Sequence, residues 1–199
     1  MHGEARGIVR AARLREERFI GMAAVTGCES GRPQEEIVIR AAIALRSSVL
    51  GLQEDVCEHL AADLNQCLAN LTDLAAMYKQ AHWNVTGPNF AQLHELFDRF
   101  ADQTREYMDM VAERAVTLGG TARGTIQAAA ESSSLTPFPQ TERSQWSLVE
   151  ELVLRLEQVA SDLRQAMDAS ADEAATEDVL IEVLRGVEKQ HWMLREHLA

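Results

Sequence analysis

Apolar residues recur at steps of three and four along three long stretches of the chain, residues 54–83, 144–169 and 172–198, a period that predicts helices with one buried face. Leucine carries most of this face in the first stretch, and leucine with valine carries it in the last two. Ser147 and Glu150 also have the spacing of a capping box near the start of the stretch at residues 144–169. The four predicted helices span residues 54–83, 88–118, 144–169 and 172–198.

The second predicted helix has clear boundaries and no internal breaker. Pro88 suits a first helical position, and Gly119 and Gly120 supply a stop. Residues 121–141, which are rich in Ala, Ser and Pro, must then carry the chain across the length of a bundle to the third helix. Two short connections and one long crossover predict an all-α four-helix bundle.

Side chains of the types that bind metals are concentrated on the second helix and just before it. His94 and Asp98 are four residues apart, as are Asp109 and Glu113, and the step from Asp98 to Asp109 is 11 residues. These steps are close to whole turns, so the four side chains lie on one stripe. Asp98 and Asp109 are nevertheless about 16 Å apart along the axis, too far for one metal cluster. One chain therefore cannot complete the site.

A second copy of the chain removes this difficulty. An antiparallel copy across a two-fold axis near Gln103 and Thr104 brings the first pair of one chain beside the second pair of the other, and such a dimer has two identical sites. Imidazole and carboxylate ligands together suit iron, with zinc or manganese as competitors. His82, at the end of the preceding helix, is the candidate fifth ligand.

Two other interpretations of these side chains remain open. Without a metal, the stripe is a solvated acidic face on which Asp109 and Glu113 repel each other by about 0.2–0.5 kcal/mol. Trp83 is either a core side chain or, beside His82, a candidate catalytic residue that stacks over the site or takes up an oxidising equivalent.

The residues around these ligands carry a family resemblance. The matching segments are residues 79–87 (KQAHWNVTG), Phe90, Leu93-His94, Asp98, Asp109, Ala112-Glu113-Arg114, Leu118-Gly119-Gly120 and Gly124-Thr125. In order, identity and spacing they resemble the Dps family of mini-ferritins.

The resemblance implies a ferritin-like four-helix bundle that assembles into a hollow dodecameric shell. It implies an intersubunit ferroxidase centre with metal ligands His82, His94 and Asp98 from one chain and Asp109 and Glu113 from the other. At this centre two Fe(II) ions per site are oxidised by hydrogen peroxide, or more slowly by dioxygen, and ferric mineral is stored inside the shell. A zinc- or manganese-sequestering protein would keep the same ligands but show no redox turnover.

Charge is distributed unevenly along the chain, whose formal net charge is −12. Residues 51–199, the predicted bundle, hold 11 basic and 25 acidic residues, which disfavours contact with nucleic acid phosphates. Residues 1–50 are predicted as an N-terminal extension with eight arginines. We therefore expect DNA binding to be weak, and the alternative function is a non-enzymatic DNA-compacting or structural shell that uses this arm.

Other acidic and histidine residues match functional motifs only in part. Glu188 and His191 form the only Glu-x-x-His motif, whereas a di-iron centre inside a bundle needs two, so we predict a hydrogen-bonded core histidine. Asp178 matches the pore motif of the family. Many members also have an aspartate at the position of Ala174, and Glu173 or Asp172 is the candidate substitute for that aspartate. The alternative for these acidic residues is a favourable position at a helix start.

Cysteine usage and hydropathy indicate the compartment. Cys28, Cys57 and Cys67 are an odd and sparse set without metal-binding spacing, which is typical of a reducing cytoplasm, and we expect them to be buried or inert. The chain has no segment of the length and apolar character that a membrane span needs. The sequence thus predicts a cytoplasmic protein without a membrane partner.

Overall fold

The computed structural model describes residues 50–199, and there the chain forms five α-helices. They are α1 (Glu54–Asn84), α2 (Phe90–Thr117), α3 (Ile126–Ser132), α4 (Gln145–Ala169) and α5 (Ala174–Arg195). The all-α prediction, with four long helices and a long crossover between the second and third, is confirmed. The predicted extension at residues 1–50 lies outside the described residues except for its last position, and its boundary stays a prediction.

The four long helices bury one continuous apolar core. α1 packs along α2 and α4, α5 packs along α4 and α2, and the short α3 lies against α1. Burying one large apolar side chain in this core stabilises the fold by about 1.5–3 kcal/mol. The largest fully buried side chains are Tyr78, Phe97, Leu64, Leu68, Leu71, Leu74, Leu93, Leu118, Leu148, Leu152, Leu156 and Leu163.

The turn between α1 and α2 differs from the predicted helix start. α2 begins at Phe90, two residues after Pro88, because the chain first turns at Gly87 with φ of +139°. Phe90 N–H donates to the carbonyl of Gly87 at 3.1 Å. A proline with its fixed φ is as well suited to such a turn as to a first helical position.

The start of α4 is capped differently from the prediction. The helix begins at Gln145, so Ser147 lies within the first turn rather than at a capping position. The carboxylate of Glu142 instead accepts hydrogen bonds from the backbone N–H groups of Ser144 at 2.7 Å and Arg143 at 2.6 Å. These bonds lower the pKa of Glu142.

The crossover is fixed to the bundle by buried polar side chains. Asn70 of α1 accepts from Ser134 N–H at 2.9 Å and donates to Asp162 of α4 at 2.8 Å. Arg155 of α4 is also buried and donates to the carbonyls of Thr136 and Pro137. Both anchors satisfy backbone groups that a loop would otherwise bury without partners.

The predictions on cysteine burial and on membrane-spanning segments can be compared with the described residues. Cys57 and Cys67 are buried free thiols, as expected, whereas Cys28 lies outside the described residues. Burial raises the pKa of Cys67 to about 12. None of the helices between residues 50 and 199 combines the length and the hydropathy needed to span a membrane.

Candidate functional site

The end of α1 and the beginning of α2 bring two of the predicted ligands, His82 and His94, into contact. Their imidazole rings stack with centroids 3.7 Å apart and an interplanar angle of 22°. Phe90 packs on His94 as well, with ring centroids 5.2 Å apart. His82 lies in the last turn of α1 and His94 lies near the start of α2, so the turn at residues 85–89 controls their separation.

Reciprocal hydrogen bonds define which nitrogen of each ring is available. His82 Nδ1 donates to the carbonyl of His94 at 2.7 Å, and His94 Nδ1 donates to the carbonyl of His82 at 2.9 Å. A carbonyl oxygen only accepts, so each Nδ1 carries a proton, and Nε2 of the neutral ring keeps its lone pair. A bond from the second nitrogen to a backbone carbonyl is how proteins commonly orient a metal-binding histidine.

Asp98 lies one turn after His94 and is held by a cation of its own chain. Lys79 Nζ donates to Asp98 Oδ1, and this hydrogen bond keeps the pKa of Asp98 below its ordinary value. Slight burial opposes the shift, and the electrostatic interactions of Asp98 with His82, Lys79 and His94 support it. Asp98 is therefore a carboxylate at neutral pH, and a metal ion that binds its Oδ1 must compete with the ammonium group of Lys79.

Asp109 and Glu113 follow on the same helix and are both exposed. Within residues 50–199, no group of three or more His, Cys, Asp and Glu side chains is arranged to hold a metal ion. The structure thus brings His82 and His94 together with Asp98 nearby, and it leaves Asp109 and Glu113 apart. The completion of the site by a second chain stays a prediction.

Trp83 is not a core residue, because 67% of it is exposed. Its indole ring lies 5.6 Å from Lys79 Nζ, so the ammonium group contacts both Asp98 and an aromatic face. The sequence pattern does not single out Lys79 as a functional residue, although it lies in the family-like run three residues before His82. That spacing places both side chains on one face of α1.

The Glu-x-x-His motif of α5 makes contacts with α4 instead of forming a metal site. His191 Nε2 lies 3.2 Å from Glu157 Oε1, and Glu188 pairs with Arg164. The predicted hydrogen bond of His191 is present. The side chain is only partly buried, however, so it lies at the edge of the core.

The acidic residues at the start of α5 divide into two kinds. Glu173 caps the helix, accepting from Thr176 N–H at 2.8 Å, and pairs with Arg114 at 2.6 Å. Burial alone would raise the pKa of Glu173, but the hydrogen bonds from Thr176 and Arg114 outweigh it and lower the pKa. This carboxylate is bound inside the chain, whereas Asp172 and Asp178 are exposed.

Comparison with known proteins shows which family the chain resembles. The family described as ferritin-like domain matches residues 61–199. The DNA protection during starvation protein of Agrobacterium fabrum is 39% identical over 137 residues, which cover 68% of this chain and 85% of that protein.

Solved structures show the same similarity. Mycobacterium smegmatis Dps in its tetragonal form is 31% identical with a TM-score of 0.71, covering 74% of this chain and 91% of that one. Dps from Microbacterium arborescens in the high iron form is 32% identical with a TM-score of 0.69, covering 73% and 96%. The fold, the length of the match and the identity together place this chain in the Dps family of ferritin-like proteins.

Proposed function

We propose that this chain is a subunit of an iron-oxidising and iron-storing shell whose ferroxidase centre lies between two chains. Membership of the Dps family supports iron storage and DNA protection as the general role. The similar Microbacterium arborescens protein is known in a high iron form, which supports iron as the substrate. The dodecameric shell, the cytoplasmic location and hydrogen peroxide as oxidant belong to the proposal.

The observation that carries the proposal is the histidine pair. The rings stack and both Nδ1 atoms are bonded to carbonyls, which leaves the two Nε2 atoms as the candidate metal-binding atoms. Imidazole ligands hold Fe(II), and carboxylates favour the harder Fe(III) product. In the proposed dimer, His82, His94 and Asp98 of one chain meet Asp109 and Glu113 of the other.

The proposed reaction balances with two iron ions per site. Two Fe(II) ions supply two electrons to one hydrogen peroxide molecule, and with two protons this yields two Fe(III) ions and two water molecules. Paired electrons avoid release of a hydroxyl radical. Trp83, exposed beside His82, is the proposed donor of an electron when only one iron ion is bound.

The two halves of the centre are proposed to differ in affinity. His82 with Asp109 and Glu113 forms the tighter iron site, and His94 with Asp98 forms the weaker one. The salt bridge of Lys79 to Asp98 supports this order, because a metal bound through Asp98 Oδ1 must compete with the ammonium group. Zinc and manganese would compete for the same ligands without turnover.

A comparison of oxidation rates tests the proposal. Anaerobic protein is loaded with Fe(II), hydrogen peroxide is added, and the ferric absorbance is recorded for wild type and for the double variant Asp98→Ala, Glu113→Ala. The matched control is Asp102→Ala, which removes an exposed carboxylate of the same helix. We expect rapid oxidation in wild type and control and severe slowing in the double variant.

Equal rates in all three proteins would exclude this centre from the reaction. The alternative function, a DNA-compacting or structural shell that uses residues 1–50, would then be favoured. Retention of DNA across a salt series, with and without the arginine-containing residues 1–18, would test that alternative.

A further inference from the structure

The turn between α1 and α2 is held by the start of α4, 56 residues further along the chain. Gln145, only 2% exposed, accepts a hydrogen bond through Oε1 from Asn89 N–H at 2.9 Å. Two backbone hydrogen bonds run beside it, from Thr86 N–H to Arg143 O at 2.8 Å and from Gln145 N–H to Thr86 O at 3.1 Å. The turn is thus joined to α4 by both backbone and side chain.

Gln145 also packs directly on the backbone of Gly87. A Cβ at Gly87 would lie 2.5 Å from Gln145 Oε1 and 2.9 Å from its Cγ, closer than such atoms approach. Gly87 has φ of +139°, a conformation that glycine adopts readily and other residues avoid. The turn and the glutamine side chain therefore fit only while residue 87 has no side chain.

The side-chain amide of Gln145 destabilises the fold through one of its two polar atoms. Its Nε2 is buried without a hydrogen bond partner among residues 50–199. An unsatisfied buried donor costs about 1–3 kcal/mol, which an apolar side chain of similar size would avoid. The acceptor Oε1 is therefore the feature of Gln145 that this position uses.

The turn fixed in this way sets the geometry of the histidine pair. His82 lies three residues before Val85, and His94 lies five residues after Asn89. Their reciprocal bonds of 2.7 and 2.9 Å form only when the end of α1 and the start of α2 keep one axial register. A small shift at the turn would change the direction of both Nε2 atoms.

We infer that Gln145 is a positioning residue for the metal-binding histidines, acting through the turn at residues 85–89 and its Oε1 acceptor. Gln145 itself does not bind the metal in this account. The inference rests on the proposed function, since it concerns the same site.

Cobalt(II) titration of the assembled protein, followed by visible absorbance, tests the inference without requiring iron oxidation. Gln145→Met keeps the volume and removes the acceptor, and we expect about tenfold weaker Co(II) binding, in the range found for residues that orient metal ligands. Gln145→Glu keeps an acceptor at the start of α4, where the helix dipole favours a carboxylate. We expect this variant to bind Co(II) within about twofold of wild type, well below the usual effect of losing an orienting residue.

Two further variants separate positioning from general destabilisation. Gly87→Ala displaces Gln145 from the other side and should weaken Co(II) binding as Gln145→Met does. Asn70→Leu removes a buried amide that anchors the crossover, and it should lower stability while leaving Co(II) affinity unchanged. Iron oxidation in Gln145→Met should show a raised KM for Fe(II) with a smaller change in kcat.

The outcomes distinguish the inference from the proposed function. Wild-type Co(II) affinity in both Gln145→Met and Gly87→Ala would overturn the positioning role. A loss of Co(II) affinity in Asn70→Leu as large as in Gln145→Met would overturn it too. Absence of Co(II) binding in wild type itself would instead contradict the proposed metal site. If Gln145→Met does not assemble, the comparison of Gly87→Ala with Asn70→Leu decides the same question.

Discussion

The ion pair between Arg114 and Glu173 gives the sharpest prediction about stability. Arg114 lies at the end of α2, next to Glu113, and its guanidinium donates to Glu173 Oε2 at 2.6 Å and to Thr176 Oγ1 at 2.9 Å. The two charged side chains are only 13% and 12% exposed. Replacing Arg114 with methionine would leave a mostly buried carboxylate with only its hydrogen bonds to the start of α5.

Removing one partner of a buried ion pair costs about 3–5 kcal/mol. Because the hydrogen bonds to Thr176 remain and some exposure persists, we expect Arg114→Met to lower the free energy of unfolding by about 2–3 kcal/mol at pH 7. The pKa of Glu173 is lowered from 4.5, so the stabilisation is complete above pH 4.5 and is lost as pH falls through the lowered value. The difference between wild type and variant should therefore shrink below pH 4.5.

Urea unfolding at several pH values and one fixed protein concentration measures this difference. The matched control is Arg105→Met, which removes an exposed ion pair with Asp102 and should cost about 0–1 kcal/mol. A loss in Arg114→Met no larger than in the control would refute the reasoning. A difference that persists unchanged at pH 3 would refute the role of the Glu173 charge.

Three further predictions concern other parts of the chain. Lys79→Met should tighten Co(II) binding at the weaker site, because the metal no longer competes with the ammonium group for Asp98; unchanged titrations would contradict this. Gly186→Ala should destabilise the fold by about 1–3 kcal/mol in thermal unfolding, because a Cβ there would overlap Tyr107 Oη. Cys67, with its pKa of about 12, should react with a thiol reagent only at the rate of unfolding, and rapid labelling of native protein would disagree.

The sequence was sufficient to predict the features that depend on local periodicity. The four long helices and the crossover follow from apolar spacing and from Pro and Gly at the boundaries. The separation of Asp98 from Asp109 likewise follows from helical rise, and it predicts a site shared by two chains. The assignment of these residues as metal ligands remains a prediction.

Contacts between distant segments could not be predicted in the same way. The bond from Asn89 to Gln145 spans 56 residues, and the pair of Arg114 with Glu173 spans 59. Such contacts depend on how each helix is rotated about its axis, which the apolar pattern defines only approximately. The start of α2 was misplaced for this reason, since Pro88 lies in a turn whose geometry α4 stabilises.

A mixing experiment tests most directly whether the site is shared by two chains. Asp98→Ala and Glu113→Ala chains are unfolded, mixed in equal amounts, reassembled and assayed for iron oxidation with hydrogen peroxide. If chains pair at random, half of the dimers are mixed, and each mixed dimer has one intact site of two. We therefore expect each variant alone to be severely slowed and the mixture to recover about a quarter of the wild-type rate. A mixture no faster than its two components would contradict the shared site.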